Sequence, residues 1–185
     1  MHQFPHGSGW IEVVCGSMFA GKTQELIRRL RLAAIARQKV QVFKHKLDAR
    51  YAKEDLVSHD QLRIPSVPVA RAQQILDKLR PNTQVVGVDE VHFFDGKIVS
   101  ACRRMADEGR RVIVAGLDCD WRGKPFEPMA RLMASAEYVT KNLAVCTVCG
   151  GPASRTQRVG EGKKRIDVGH SDKYEARCRR CHTTS

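Results

Sequence analysis

An α/β fold, a P-loop parallel sheet with helices on both faces followed by a small C-terminal zinc-binding lobe, is predicted by three observations. Gly16-Ser17-Met18-Phe19-Ala20-Gly21-Lys22-Thr23 matches G-x-x-x-x-G-K-[ST] in full, between a β-forming run and a helical one. The runs at 84–88 and 111–115 are nearly continuously apolar, as in parallel strands buried on both faces, and helical patterns alternate with them. Two Cys-x-x-Cys pairs close the chain.

In order, 10–15 (W-I-E-V-V-C) reads as the first strand, and 24–36 as a helix with Leu26, Ile27, Leu30 and Ala34 on one face. Residues 39–44 alternate as a strand, and 45–68 form a long polar stretch with Asp48, Arg50, Tyr51 and His59, expected to be a functional or mobile loop. A helix is expected over 70–79, stopped at Arg80-Pro81. The apolar strand at 84–88 runs into Asp89-Glu90. Asp95 caps a helix to about Glu108, with Ile98, Val99, Cys102 and Met105 inward and Gly109 as its stop. The strand at 111–115 opens into the loop 116–126, then come a short helix over 129–136 and a last strand over 138–145. Such a βα alternation places a nucleotide at the carboxyl ends of the strands.

Each P-loop position has a physical task. The glycines let the backbone wrap so that consecutive amides face phosphate oxygens at a helix N-terminus. Lys22 reaches the β- and γ-phosphates, and the Thr23 hydroxyl ligates Mg²⁺. Asp89 and Glu90 stand where a P-loop protein has its second acidic motif. One serves the metal; the other, pointing elsewhere, takes a proton from a hydroxyl acceptor or positions a water. The plainer alternative is a Glu90 that only caps the following turn.

Cys146-x-x-Cys149 and Cys178-x-x-Cys181, separated by 28 residues, form a tetrahedral Cys₄ site with no open position, so the zinc is structural and pins a lobe too short to hold its own core. His182 is expected to be solvated, Cys15 and Cys102 to be core thiols, and Cys119 has no assignment. The segment 161–164 looks like a hairpin turn, and the glycine-containing loop that follows is a plausible lid. An odd total of seven cysteines argues against a disulfide framework. With no apolar run of 18 residues and no signal-peptide pattern at 1–9, a cytoplasmic protein is expected, without membrane contact. The net charge of +12 invites a nucleic-acid partner, but residues 141–185 hold ten Lys/Arg against four Asp/Glu, and four thiolates on Zn²⁺ offset part of that excess. No basic signature with interleaved aromatics accompanies it. Residue chemistry alone therefore reaches a P-loop phosphotransferase or NTPase. A zinc-ribbon nucleic-acid-binding ATPase, with strongly salt-dependent affinity, is the alternative from another class.

The motifs taken together, G-S-M-F-A-G-K-T at 16–23, D-A-R-Y at 48–51, V-D-E-V-H-F-F at 88–94, L-D-C-D-W-R-G-K-P-F at 117–126 and the cysteine pairs flanking V-G-H-S-D-K-Y, resemble the type II (cytosolic-type) thymidine kinases from about Trp10 to Cys181. The resemblance implies ATP-dependent phosphorylation of the 5′-hydroxyl of thymidine, and of deoxyuridine, in nucleotide salvage for DNA synthesis. It implies Glu90 as the catalytic base, Thr23 and Asp89 at Mg²⁺, and an ATP site of Gly16 to Thr23, Asp48, Ala49, Arg50, Asp89, Glu90, Val91 and His92. Met18, Phe93, Leu117 and Trp121 would wall the base pocket with Thr156, and a lasso-like loop of Arg165, Ile166, Asp167, Val168 and Gly169, with Tyr174, would close over it. Residues 1–142 would form the P-loop α/β nucleotide-binding domain and 143–185 the zinc-binding lobe with its substrate-covering loop. A homotetramer, feedback-inhibited by deoxythymidine triphosphate, is also implied. Three positions depart from the family's habit: His92 stands for a common Gln and makes activity pH-dependent near neutrality, Trp121 replaces a usual Phe and narrows the pocket, and Asp167 stands where a small apolar residue is common in vertebrate members.

Overall fold

The computed structural model describes residues 7–47, 55–57, 63–159 and 173–184. Its elements are β1 (Trp10–Gly16), α1 (Lys22–Ile35), β2 (Val40–His45), β3 (Asp55–Val57), β4 (Arg63–Pro65), β5 (Val67–Val69), α2 (Ala72–Lys78), β6 (Val85–Asp89), a 3-10 turn (Val91–Phe93), α3 (Lys97–Asp107), β7 (Arg111–Leu117), α4 (Glu127–Ser135), β8 (Tyr138–Asn142), β9 (Ala144–Val145), β10 (Pro152–Ala153), β11 (Arg155–Arg158) and β12 (Tyr174–Arg177).

Six strands form one parallel sheet in the order β5-β2-β6-β7-β1-β8. The crossover through α1 runs toward the β5 edge, whereas those through α2, α3 and α4 run the other way. Right-handed crossovers then put α1 on one face and the other three on the opposite face, and the core divides accordingly. Leu26, Ile27, Leu30 and Ala33 of α1 pack on Val14, Val42, Val85, Ile113 and Ala115. Ile75, Ile98, Val99, Cys102, Met105, Met129 and Leu132 pack on the alternate residues of the same strands. The strands at the sheet centre are buried on both faces, hence their unbroken apolar runs.

Four boundaries differ from expectation. On α1 the buried alanine is Ala33, and Ala34 is exposed, because the sheet takes a stripe one residue earlier. The polar stretch after β2 contains β3, β4 and β5; β5 joins the main sheet beside β2 through three residues, too short and too interrupted by Pro68 to show a period. The predicted strand over 138–145 is two strands, since the chain leaves the sheet at Leu143 and enters the lobe. Gly96 is the first residue of the α3 cap, although Asp95 Oδ1 still accepts the Lys97 N–H at 3.0 Å. Among the described residues no helix is long and apolar enough to cross a membrane.

Candidate active site

The site lies at the C-terminal edge of the sheet, where β1 ends at Gly16, β6 at Asp89 and β7 at Leu117. Gly16 has φ +141, and a Cβ there would stand 2.3 Å from the Asn142 carbonyl oxygen, so only glycine lets the phosphate loop leave β1 beside β8. Phe19 also holds the left-handed region, at φ 65. Lys22 Nζ donates to the Ser17 carbonyl at 2.7 Å. Thr23, in the first turn of α1, donates its hydroxyl to Asp89 Oδ2 at 3.0 Å. A hydroxyl and a carboxylate of that kind are hard oxygen donors and fit a Mg²⁺ ion carried by phosphates.

Glu90 follows Asp89 in the left-handed region, φ 50 and ψ 42, at the entrance to the 3-10 turn, and makes no side-chain cap to that turn. A non-glycine residue there costs on the order of 1–2 kcal/mol, of the sort retained where a side chain must be aimed. Its carboxylate is mostly buried, with Oε2 3.4 Å from His92 Nδ1.

Of the residues expected to hold a nucleoside base, the structure links Met18 to Thr156 and sets Trp121 and Tyr174 on either side of one guanidinium. The Met18 N–H donates to Thr156 Oγ1 at 3.0 Å, joining the phosphate loop to β11. The Leu117 N–H donates to His92 Nδ1 at 3.2 Å. The Arg158 guanidinium lies 5.7 Å from the ring centres of both Trp121 and Tyr174, and Arg122 lies over the Trp121 ring at 4.5 Å. Met18, Phe93, Leu117 and Trp121 are each half-buried. Val91, grouped from sequence with the phosphate site, is fully buried in the core. Asp48, Ala49, Arg50, Arg165, Ile166, Asp167, Val168, Gly169 and the turn at 161–164 lie outside the described residues. The antiparallel pair β11 and β12 brackets 160–172.

In the lobe, the four sulfur atoms of Cys146, Cys149, Cys178 and Cys181 lie within 4.8 Å of one another, with Cys149 and Cys178 at 3.7 Å. Tetrahedral zinc–thiolate bonds of about 2.3 Å place sulfurs about 3.8 Å apart, so the cluster fits zinc. Tight turns build both knuckles: the Gly150 N–H reaches the Cys146 carbonyl at 2.9 Å and the His182 N–H the Cys178 carbonyl at 3.0 Å. Backbone N–H donors, that of Cys178 first, hold the Cys146 thiol down to about 6. The lobe's small core is Ala144, Cys146, Ala153 and Ala176, and Ala20 of the phosphate loop belongs to it.

Sequence reasoning missed several supports. His182 is neither solvated nor a ligand; its Nε2 is 2.9 Å from the Trp121 carbonyl oxygen and ties the second knuckle to the loop after β7. Arg158 carried no periodic signal, and its role arises only because β11 passes Trp121. Asp118, beyond β7, pairs with Lys141 of β8 at 2.7 Å. Cys119, half-buried beside that pair, has its thiol raised by burial and then by Asp118. Cys15 and Cys102 are core thiols as expected, and burial pushes Cys102 up to about 12.

A parallel sheet with a P-loop, an acidic pair at the end of β6 and a Cys₄ lobe packed on the phosphate loop defines a nucleotide-dependent phosphotransferase of the P-loop class. Comparison with known proteins narrows this: the thymidine kinase family model matches residues 9–182. A thymidine kinase of Rhodothermus sp. (strain ITI 518) is 56% identical over 178 residues, 95% of this chain and 83% of that protein. A thymidine kinase of Bdellovibrio bacteriovorus (strain ATCC 15356 / DSM 50701 / NCIMB 9529 / HD100) is 57% identical over 176 residues, 95% and 86% of the two chains. The chain belongs to the thymidine kinase family.

Proposed function

We propose that this protein is an ATP-dependent thymidine kinase that transfers the γ-phosphoryl group to the 5′-hydroxyl of thymidine, and of deoxyuridine, yielding the monophosphate for DNA synthesis. The observation that carries the reading is the end of β6: the Asp89 carboxylate meets Thr23 of the phosphate-loop helix, while that of Glu90, held at φ 50, lies by His92. Two adjacent carboxylates thereby serve two tasks.

The 5′-oxygen attacks the γ-phosphorus as the bond to the bridging β-oxygen breaks, and Glu90 accepts the hydroxyl proton. Lys22 and the loop amides hold the phosphate oxygens, with Asp48, Ala49 and Arg50 assigned to the same task by the resemblance. Thr23 and Asp89 are the residues that would hold magnesium, which when bound would supply positive charge to offset that of the phosphates. Met18, Phe93, Leu117, Trp121 and Thr156 wall the base, and Arg165 to Gly169 with Tyr174 close over it. Zinc, which Cys146, Cys149, Cys178 and Cys181 would hold, would supply no chemistry and would pin the lobe. The division into 1–142 and 143–185 follows the strand break after β8. The cytoplasm is the proposed location, a reading supported by seven cysteines of which none is paired in a disulfide. A homotetramer inhibited by deoxythymidine triphosphate completes the reading.

An ADP-release assay with ATP, Mg²⁺ and a nucleoside panel, with single-stranded DNA and buffer as controls, tests this. Thymidine-dependent turnover is expected. DNA-stimulated turnover indifferent to nucleosides would replace it with the zinc-ribbon ATPase. Glu90→Gln should lower kcat by roughly 10²- to 10⁴-fold with unchanged thermal unfolding, and full turnover in that variant would remove Glu90 as the base.

A further inference from the structure

A salt bridge crosses the end of β1, and phosphoryl transfer as described above makes no use of it. The sheet order β7-β1-β8 sets β1 between two neighbours, with Gly16 in register with Leu117 on one side and Asn142 on the other. Asp118 is the next residue after Leu117, and Lys141 is in register with Cys15. Lys141 Nζ meets Asp118 Oδ2 at 2.7 Å, so the pair spans β1 where the phosphate loop begins. The partners are unequal: the carboxylate side chain is 6% exposed, the lysine side chain 48%. Asp118 Oδ1 accepts the Cys119 N–H at 2.9 Å and the Asp118 carbonyl accepts the Phe126 N–H at 3.0 Å. Asp118 thereby fixes both ends of the loop that carries Trp121. Its Oδ2 is met by the ammonium, and among the described residues no other hydrogen-bond donor reaches it.

The fold thus keeps a buried negative charge beside the start of a loop built for anions. Such a carboxylate opposes a polyphosphate unless a cation answers it, because a charge out of water acts through a low effective dielectric. Cys15, the last residue before Gly16, lies within reach of the whole set: burial first and Asp118 next raise its thiol, while Lys141 and then Lys22 lower it. Lys22 belongs to the phosphate loop itself, and Lys141 is the cation paired with Asp118. We infer that Lys141 is a charge-compensating residue of the phosphate site. It cancels Asp118, so that a carboxylate can hold the loop of Trp121 without weakening the binding of a nucleoside triphosphate. Lys141 acts through Asp118, as a positioning residue.

The inference rests on the phosphate loop as the ATP site, and the experiment separates the two. The affinity for ATP with Mg²⁺ is measured by titration calorimetry at about pH 7.5, well above the carboxylate range, for the wild type, Lys141→Met, Asp118→Asn and the double variant. Thymidine-dependent kcat and thermal unfolding are followed alongside. Lys141→Met keeps an aliphatic stem but leaves the carboxylate unpaired, and should weaken ATP binding roughly tenfold while kcat at saturating ATP stays within about threefold. Adding Asp118→Asn, whose amide oxygen still accepts the Cys119 N–H, should bring the affinity back to within about threefold of the wild type, which a loss of packing would not allow. The Lys141→Met defect, taken as a ratio to the wild type, should also shrink as KCl is raised from about 0.05 to about 0.5 M, because salt screens the uncovered charge. Equal losses in both single variants without recovery in the double would make the pair a structural tie and overturn the inference, as would a Lys141→Met affinity equal to that of the wild type. A wild type that binds no ATP overturns the phosphate-site reading along with it. If Lys141→Met does not fold, Asp118→Asn decides: it should bind ATP at least as tightly as the wild type, and weaker binding overturns the inference.

Discussion

At the scale of single residues, the fold keeps groups that are costly to hold and surrounds them with partners. Glu90 is such a group by backbone conformation; Glu12 is one by burial. Its carboxylate, on β1 between β7 and β8, accepts from Arg111 Nε at 2.6 Å, Arg29 Nη1 at 2.8 Å and Trp10 Nε1 at 2.8 Å. Burial by itself would raise its pKa, but the hydrogen bonds, Arg111 first, outweigh burial and hold the carboxyl below its ordinary 4.5. A depressed native pKa means stability that is present above the unfolded value and lost as pH falls through the folded one. Glu12→Gln should therefore cost about 3 kcal/mol at pH 7, from a broken buried charge cluster. The difference from wild type should shrink as pH drops below about 4.5, as followed by chemical denaturation across pH. A constant difference at every pH would show that the carboxylate's charge is not what stabilises the cluster.

At the scale of elements, the lobe and the phosphate loop are one packed unit. Ala20 lies in the lobe's core, Ser17 Oγ reaches the Ala153 carbonyl at 3.4 Å, and the Met18 amide is held by Thr156. A lobe with so few apolar residues has little to hold it besides its metal cluster, so metal loss releases the floor of the nucleotide site too. Chelation, or Cys149→Ser, should abolish a low-temperature unfolding transition and weaken ATP binding at least tenfold by calorimetry. Unchanged ATP affinity in the metal-free protein would show that the phosphate loop stands without the lobe. The helix that follows the phosphate loop, α1, is fixed to the strands by Leu26, Ile27 and Leu30, all fully buried. Leu30→Ala should cost about 2–5 kcal/mol in denaturant unfolding, as a cavity at a close helix–sheet contact does.

At the scale of the whole molecule, the outer side of α1 leaves Leu32 and Ile35 exposed at 51% and 78%, and the edge strand β8 leaves Tyr138 and Val139 open at 36% and 45%. Water-facing apolar side chains on a helix and an unpaired sheet edge are what further copies of the chain would cover. Under the tetramer reading, the wild type should sediment at four times the 20.8 kDa chain mass, and Leu32→Glu with Ile35→Glu should sediment as a smaller species. An unchanged mass in that double variant would place the contacts elsewhere.

Much of this was legible in the chain because its strongest signals are local. A phosphate loop is a contiguous turn, so Gly16 to Thr23 announces itself. Buried parallel strands are apolar throughout, so β6 and β7 were placed almost to the residue. Metal ligands obey a spacing, so two Cys-x-x-Cys pairs are enough to group the four cysteines. The three-residue β5 left no period to read, and the break between β8 and β9 is a change of sheet, which apolar alternation does not record. Tertiary structure alone decided pairings that no motif links: Arg158 between Trp121 and Tyr174, and His182 on the Trp121 carbonyl. It also decided that His92 stands between Glu90 and Leu117. The reason is physical: periodicity and motif encode what a segment does with its own backbone, whereas the direction of a side chain at a strand end is set by which strands the sheet brings beside it.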